Sequence, residues 1–63
     1  MHTKKFKLLQ DVYFIKNETE YPIKTYIVST MQHRKENVYL IAGIAHVVNE
    51  DQLLKIKIYE TLI

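Results

Sequence analysis

The sequence predicts an all-β fold: a small antiparallel barrel of four to five strands with one short helical turn near residues 50–54. Runs of aromatic and β-branched residues, which are typical of strands, recur along the chain. Polar segments rich in turn-forming residues separate these runs. The longest uncharged apolar run, VYLIAGIAHVV at residues 38–48, supplies the middle of the core. A closed barrel suits so short a chain because closure removes exposed sheet edges.

The chain's size and composition set the limits of this fold. Its 63 residues allow one domain, which at this length buries only about 60% of the surface of its unfolded chain. There is no cysteine, so neither a disulfide nor a thiolate metal site can stabilise it. Good packing or oligomerisation must do so instead. Residues 1–5 are polar and are expected to be frayed, as unanchored termini usually are.

The sequence predicts a cytoplasmic protein without a membrane partner. The basic N-terminus starts like a signal peptide, but Gln10 and Asp11 interrupt its apolar region too early. No apolar run approaches the length of a membrane span. The sequence Asn17-Glu18-Thr19 is therefore interpreted as a turn rather than a glycosylation site. Frequent Lys, Ile, Asn and Tyr indicate a low-GC bacterium, or one of its phages or mobile elements.

The first half of the chain contains two predicted strands. Residues 12–15, VYFI, are aromatic and β-branched, and turn-forming residues 17–20 follow them. Pro22 then fixes extended geometry, so a second strand is expected over residues 23–31. The six polar residues 32–37 are interpreted as a long hairpin tip between antiparallel neighbours.

The apolar run at residues 38–48 is the predicted central strand. In a strand its alternate side chains face opposite ways, and here both sets are apolar. Val38 and Leu40 lie in one set, and Tyr39 and Ile41 lie in the other. The domain's own core can cover one face. The second face needs a bend at Gly43, a covering segment or a second chain.

The end of the chain is predicted to be one helical turn followed by a strand. Asn49, with Gln52 three residues later and acidic residues between them, has the pattern of a helix N-cap. Residues 54–59 alternate with a period of two, placing Leu54, Ile56 and Ile58 inward. The rival prediction is a helix from residue 50 to about residue 62.

Part of the chain resembles a known family. Residues 6–13, FKLLQDVY, look like the opening of small SH3-like barrel domains common in low-GC bacteria and their phages. Where that family has a Gly-Asp pair before its first strand, this chain has Leu9 and Gln10. Residues 39–41 and 47–54 are similar to the family's penultimate strand and to the helical turn before its last strand. The resemblance implies an SH3-like barrel, a fold that binds peptides, nucleic acids or folded proteins and so implies no single activity.

The sequence offers no constellation for catalysis, cofactor binding or metal binding. Ser29 and Thr30 lie in a strand-like run. No base and orienting group stand at a spacing from them that would indicate a catalytic triad. The three histidines fall in a tail, a loop and a strand, so they do not form a ligand cluster. His46, near the end of the central strand, is interpreted first as a buried, hydrogen-bonded side chain. An interface residue or a ligand are the alternatives. The chain is therefore predicted not to be an enzyme.

The leading hypothesis is a protein-interaction module that docks through a β-surface. The chain has more apolar and aromatic surface than so small a core can use, and tyrosines are enriched at protein interfaces. Its partner would be another protein, including a second copy of itself in a homodimer. A regulator or inhibitor of a host protein, carried by a phage or mobile element, would fit this chemistry. The predicted interface residues are Tyr26, Tyr39, Ile41, Val47 and Tyr59.

The alternative hypothesis is a small nucleic-acid-binding barrel. A basic surface with interleaved aromatic residues is the chemistry that single strands require. Nine Lys and Arg against seven Asp and Glu give a net charge of only +2, which is weak support for a polyanionic partner. The residues that would carry this function are Arg34, Lys35, Lys55, Lys57 and Tyr59.

Overall fold

A computed structural model describes residues 4–62 of the chain. In that range the protein has five strands, one 3₁₀ turn and one short helix. In chain order these are β1 (Asp11–Phe14), β2 (Ile23–His33), β3 (Glu36–Ile41), β4 (Val48–Asn49), the 3₁₀ turn Glu50–Gln52, β5 (Leu53–Lys55) and α1 (Ile56–Leu62). The predicted all-β class is confirmed, and so is the helical turn near residues 50–54.

The described strands form one antiparallel sheet in the order β4-β3-β2-β1-β5. β1, β2 and β3 each lie beside the next strand in sequence. β5 instead returns to the start of the chain and pairs with β1, placing Lys55 opposite Val12 and Leu53 opposite Phe14. The first and last strands of the described chain are therefore neighbours in the sheet.

β2 is the strand that pairs with both β1 and β3. In its first half Tyr26 lies opposite Asp11, and in its second half Ile27 lies opposite Ile41. A register shift between Ile27 and Ser29 marks a β-bulge, which bends a strand and increases its twist. β2 therefore pairs with β1 through its first residues and with β3 through its later residues.

The connection between β1 and β2 has the turn chemistry that the sequence predicts. The Asn17 side-chain oxygen accepts hydrogen bonds from the Thr19 backbone N–H at 2.9 Å and from the Thr19 hydroxyl at 2.7 Å. This is the local bonding by which Asn stabilises turns. β2 then begins directly after Pro22, as expected.

The hairpin between β2 and β3 is tighter than the long polar tip predicted at residues 32–37. Strand pairing continues through His33 and Glu36, so only Arg34 and Lys35 form the turn. Arg34 has a φ of 58°, the left-handed conformation that two-residue hairpin turns use. Exposed strand ends and loops are both polar because both contact water. The polar pattern at residues 32–37 therefore did not distinguish strand ends from a loop.

The apolar run at residues 38–48 is not a single strand. β3 ends at Ile41 and β4 begins at Val48, and between them Gly43 has a φ of 89°, which glycine adopts readily. The two arms then pair with each other, with Tyr39 opposite Val48. The bend that the sequence offered at Gly43 is therefore present.

The hydrophobic core of the described chain draws at least one side chain from every strand. Ile44 packs against the cluster from the turn between β3 and β4. Phe6 lies outside any strand, yet its ring meets the Tyr39 ring edge to face with centroids 5.5 Å apart. The N-terminal segment is therefore part of the core. The buried members of this cluster are Phe6, Val12, Phe14, Ile27, Tyr39, Ile41, Val48 and Leu53.

The N-terminal segment is also held by hydrogen bonds. The Lys4 ammonium donates to the Thr30 hydroxyl at 3.0 Å, and the Lys5 backbone N–H donates to a Glu50 carboxylate oxygen at 3.0 Å. Fraying was predicted for residues 1–5. Residues 1–3 lie outside the described residues, whereas Lys4 and Lys5 are anchored to the sheet.

The last part of the chain differs from its predicted strand. The 3₁₀ turn begins as the capping pattern indicates, with the Asn49 backbone N–H donating to the Gln52 side chain at 3.1 Å. The strand that follows ends at Lys55, so the prediction of a strand over residues 54–59 is wrong beyond that point. The rival prediction of one helix from residue 50 is wrong as well, because β5 intervenes.

Tertiary packing explains why α1 replaces the predicted strand. The Tyr59 ring packs on the Tyr13 ring with centroids 4.2 Å apart. Tyr13 lies opposite Leu54, on the face of the sheet away from Val12 and the core. Ile56 and Tyr59, three residues apart on a helix, lie on the same side and are both half-buried. α1 therefore folds back over the outer face of β1.

Candidate functional site

The structure divides the five predicted interface residues. Tyr39 and Ile41 lie in the core with 0% and 2% of their surface exposed, so neither can contact a partner of the folded chain. Tyr26 and Val47 are exposed at 44% and 47%, and Tyr59 is half-buried against Tyr13. The predicted surface therefore loses its two central members. Which face of β3 meets the core depends on its pairing with β2 and β4. The sequence does not show this pairing.

Tyr39 instead helps to form a partly buried polar cluster around Glu50. One carboxylate oxygen of Glu50 accepts hydrogen bonds from the Tyr39 hydroxyl at 2.5 Å, the Asn37 amide at 3.2 Å and the Lys5 backbone at 3.0 Å. This cluster ties the N-terminal segment and the 3₁₀ turn to β3. Sequence reasoning interpreted Glu50 only as an acid that favours a helix start.

Electrostatics in this cluster follow from its burial and its donors. Burial by itself would raise the pKa of the Glu50 carboxyl. The three hydrogen bonds, and then the positive charge of Lys5, outweigh burial and hold that pKa below its usual value. Burial, followed by the hydrogen bond to Glu50, raises the pKa of the Tyr39 hydroxyl to about 12. An ionised carboxylate beside a neutral phenol is therefore the stable state at neutral pH.

The outer face of β2 carries two exposed apolar side chains, Tyr26 and Val28, which we call the β2 patch. Both are close to half exposed, while Thr25 and Ile27 on the other face are buried. The Ala42 backbone N–H donates to the Tyr26 carbonyl at 3.1 Å, which fixes the strand at this point. Of the two side chains, only Tyr26 was predicted. Val28 lies at the bulge, where alternation gives no reliable face.

Of the five residues predicted to bind nucleic acid, Lys55 and Lys57 line one cavity, whereas Arg34 and Lys35 form the turn between β2 and β3. Lys35 and Glu36 line a cavity of about 390 Å³ together with two further acidic residues, Glu50 and Asp51. Tyr59 has one ring face against Tyr13. The predicted set is thus divided between the hairpin tip and the C-terminal end of the chain.

A basic surface that includes two of these residues, Lys55 and Lys57, assembles at the N-terminal turn, β5 and α1. Lys7, Leu8, Leu9 and Lys55 line a cavity of about 460 Å³ with Lys5 and Gln10. Lys55 also lines a neighbouring cavity of about 520 Å³ with Lys57, Ile58, Thr61 and Leu62. Among residues 4–62, no aspartate or glutamate lines either cavity. We call the lysine–leucine face the surface formed by Lys7, Leu8, Leu9, Lys55, Lys57 and Leu62.

The leucines of this face are strongly exposed. Leu8, Leu9 and Leu62 expose 60%, 73% and 72% of their surface. Leu9 has a φ of 64°, and its backbone N–H donates to the Ile27 carbonyl at 2.8 Å. The turn is therefore held in a strained conformation that presents both leucines outward. Sequence reasoning missed them because adjacent leucines normally indicate a core position.

His46 is not the buried side chain that was predicted. It is exposed, and its Nδ1 lies 3.0 Å from the carbonyl oxygen of its neighbour Val47. The turn at Gly43 takes it out of the strand in which it would have faced the core. Among residues 4–62, no three histidine, aspartate or glutamate side chains come close enough to hold a metal ion. His2 lies outside the described residues.

Comparisons with known proteins add no relative. No protein-family model matches the sequence, and no curated protein and no solved structure is detectably similar to it. None of the helices within residues 4–62 combines the length and the apolar character needed to cross a bilayer.

Proposed function

We propose that this protein is an SH3-like barrel that acts as a cytoplasmic, non-enzymatic protein-interaction module. Two features support the fold assignment. The 3₁₀ turn directly precedes β5, where the resemblance places a helical turn before the last strand. Leu9 stands where that family has glycine, and its φ of 64° is in the region that favours glycine.

The observation that carries the proposed function is the exposure of the β2 patch. Tyr26 and Val28 project from β2 with about half of each side chain in contact with solvent. Tyrosine at a surface gives a partner a large apolar contact and a polar hydroxyl. A rigid strand presents it without the entropic cost of ordering a loop.

We take a second copy of the chain as the occupant of this patch. Asp11 lies directly opposite Tyr26 on β1, and Lys24 lies two residues before Tyr26 on the same strand face. The patch therefore has one negative and one positive side chain beside its aromatic ring. A two-fold axis through Tyr26 would bring Lys24 of each copy toward Asp11 of the other, which is the self-complementarity that a homodimer needs.

Sedimentation velocity tests this proposal. The wild type should sediment as a dimer at high concentration, and Tyr26→Lys should sediment as a monomer because it buries charge at the contact. Tyr21→Lys is the matched control, since Tyr21 is 92% exposed and precedes β2. A wild type that stays monomeric at every concentration, or a Tyr26→Lys variant that still dimerises, would contradict self-association. Circular dichroism checks that each variant is folded.

A more specific form of this proposal is that the protein regulates or inhibits a host protein. Blocking another protein requires only a well-packed patch with a few anchor residues, which a chain of this size can supply. Immobilised wild type, Tyr26→Lys and Tyr21→Lys should be compared as baits for a lysate of a low-GC bacterium. A host protein retained by the wild type and Tyr21→Lys, but lost with Tyr26→Lys, would support it. Equal retention by all three would contradict it.

Nucleic-acid binding is the second candidate function. The observation in its favour is that Lys5, Lys7 and Lys55 line one cavity, and the described residues that line it include no aspartate or glutamate. Binding of a labelled single-stranded oligonucleotide that weakens steeply with added salt would support it, because phosphate neutralisation releases counterions. No binding at low salt would remove it.

A further inference from the structure

We infer that the lysine–leucine face is a binding site for an acidic, amphipathic segment of a partner protein. This inference goes beyond self-association through the β2 patch, and neither depends on the other. It starts from two neighbouring cavities that share Lys55. One is walled by the N-terminal turn and the other by α1, so two separate parts of the chain build one surface.

The charges of this face select a negatively charged partner. Lys7, Lys55 and Lys57 contribute three ammonium groups, and the described residues that line the two cavities include no aspartate or glutamate. Lys5 adds a fourth, although its charge also interacts with Glu50. A second copy presenting the same face would be repelled, because the face would meet its own charges.

The apolar side chains of this face favour a ligand with apolar groups over a purely ionic one. Leu8, Leu9 and Leu62 expose more than half of their surface between the lysines. Against a phosphate backbone these leucines would gain nothing, whereas leucines of a partner would remove them from water. The best occupant therefore carries carboxylates and apolar side chains together.

The shape of the face favours a protein segment over a lipid surface. Its cavities, of about 460 and 520 Å³, are shallow and open to solvent, and side chains projecting from a helix at successive turns can rest in them. A bilayer surface has no such projections. An amphipathic helix with leucines along one stripe and glutamates beside it matches both the cavities and their cationic rim.

The test uses the full chain and a defined probe. The probe is a fluorescein-labelled peptide of about 15 residues, or four helical turns, with leucines at helical spacing and glutamates beside them. Fluorescence anisotropy should show binding that weakens with salt. Lys55→Glu should weaken binding roughly tenfold, because Lys55 borders both cavities. Lys16→Glu, which makes the same charge change outside both cavities, should leave binding within about twofold of the wild type.

The leucines are tested separately. The double variant Leu8→Ser, Leu62→Ser keeps every charge and should also weaken peptide binding by roughly tenfold. Both leucines are exposed, so the core is untouched, and thermal melts check that the fold is intact. No binding of the peptide by the wild type would overturn the inference. So would equal effects of Lys55→Glu and Lys16→Glu, which would indicate attraction by net charge alone.

The same variants identify the other classes of ligand. A single-stranded oligonucleotide bound more tightly than the peptide, with no loss in the leucine double variant, would replace the inference with nucleic-acid binding. Preference for vesicles of phosphatidylglycerol over the peptide would replace it with a lipid surface. Because the dimer test uses Tyr26→Lys, a failure here leaves the proposed self-association standing, and the reverse also holds.

Discussion

The Tyr39 hydroxyl donates a hydrogen bond to the Glu50 carboxylate at 2.5 Å, joining the middle of β3 to the 3₁₀ turn. Tyr39 is fully buried, so its hydroxyl needs a partner inside the protein. The same carboxylate oxygen holds the Lys5 backbone. Glu50 therefore fastens three parts of the chain that are far apart in sequence, and its ionisation state should control stability.

Acid should destabilise the protein through Glu50. Because the folded-state pKa of Glu50 is below its ordinary value of 4.5, the unfolded chain binds the proton more readily. The stabilisation is fully present above pH 4.5 and is lost as pH falls through the folded-state pKa. Glu50→Gln should lower the free energy of unfolding by about 1 to 2 kcal/mol at neutral pH and flatten its acid dependence. Urea denaturation over this pH range measures both effects.

Asp51→Asn is the matched control for this experiment. Asp51 is exposed and next in sequence, so its substitution removes an equal charge without touching the cluster. An acid dependence that is the same in Glu50→Gln and the wild type would contradict the role given to Glu50.

Tyr39 should ionise later than an ordinary tyrosine. Burial and its bond to Glu50 raise the pKa of Tyr39 from 10 to about 12. The folded state thus keeps the proton that the unfolded chain releases, and this part of the stability is lost as pH rises from 10 toward 12. Tyrosinate absorbance should show a step at the alkaline end of the titration that is missing in Tyr39→Phe. Superimposable titrations of the two proteins would contradict the prediction.

Leu9→Gly should stabilise the protein although it removes a large side chain. A non-glycine residue in the left-handed region costs about 1 to 2 kcal/mol, and glycine adds only about 0.5 to 1 kcal/mol of backbone entropy to unfolding. The net gain should be up to about 1 kcal/mol, since Leu9 is exposed. Leu8→Gly, its neighbour with no positive φ, should destabilise instead. Denaturation midpoints that shift equally in both variants would show that Leu9 is not strained.

Tyr59 should hold α1 in place. The helix has seven residues and none of them is buried, and isolated helices of that length are unstable in water. Tyr59→Ala should therefore release α1 while the sheet remains folded, whereas Tyr59→Phe keeps the contact with Tyr13. Hydrogen exchange of residues 56–62 should accelerate in Tyr59→Ala alone. Unchanged protection in that variant would mean that other contacts hold the helix.

Local chemistry explains which parts of the fold the sequence predicts. β1, the turn at Asn17, the start of β2 after Pro22 and the cap at Asn49 each depend on neighbouring residues, and all were predicted. α1 was not, because residues 54–59 alternate like a strand and the contact that decides their structure is with Tyr13, far away in sequence. Tertiary packing overrides local propensity in such cases.

The candidate surfaces were harder to predict for a similar reason. Whether Tyr39 faces inward depends on strand pairing, and a turn at Gly43 changes which later residues meet the core. Lys55 and Leu8 come together only because β5 returns to β1. Tyr26 was predicted as an interface residue, and it is exposed because it alternates with the buried Thr25 and Ile27.

The return of β5 to β1 also bears on how quickly the chain can reach its native state. Among the described strands, the β1 to β5 pairing joins residues such as Phe14 and Leu53 that are distant in sequence, while the other pairings are between consecutive strands. Closing so large a loop costs more entropy than forming a hairpin. We expect the β2-β3 hairpin to form early and β1 to pair with β5 last. Leu53→Ala should then mainly accelerate unfolding, and substitutions in the Arg34 turn should mainly slow folding.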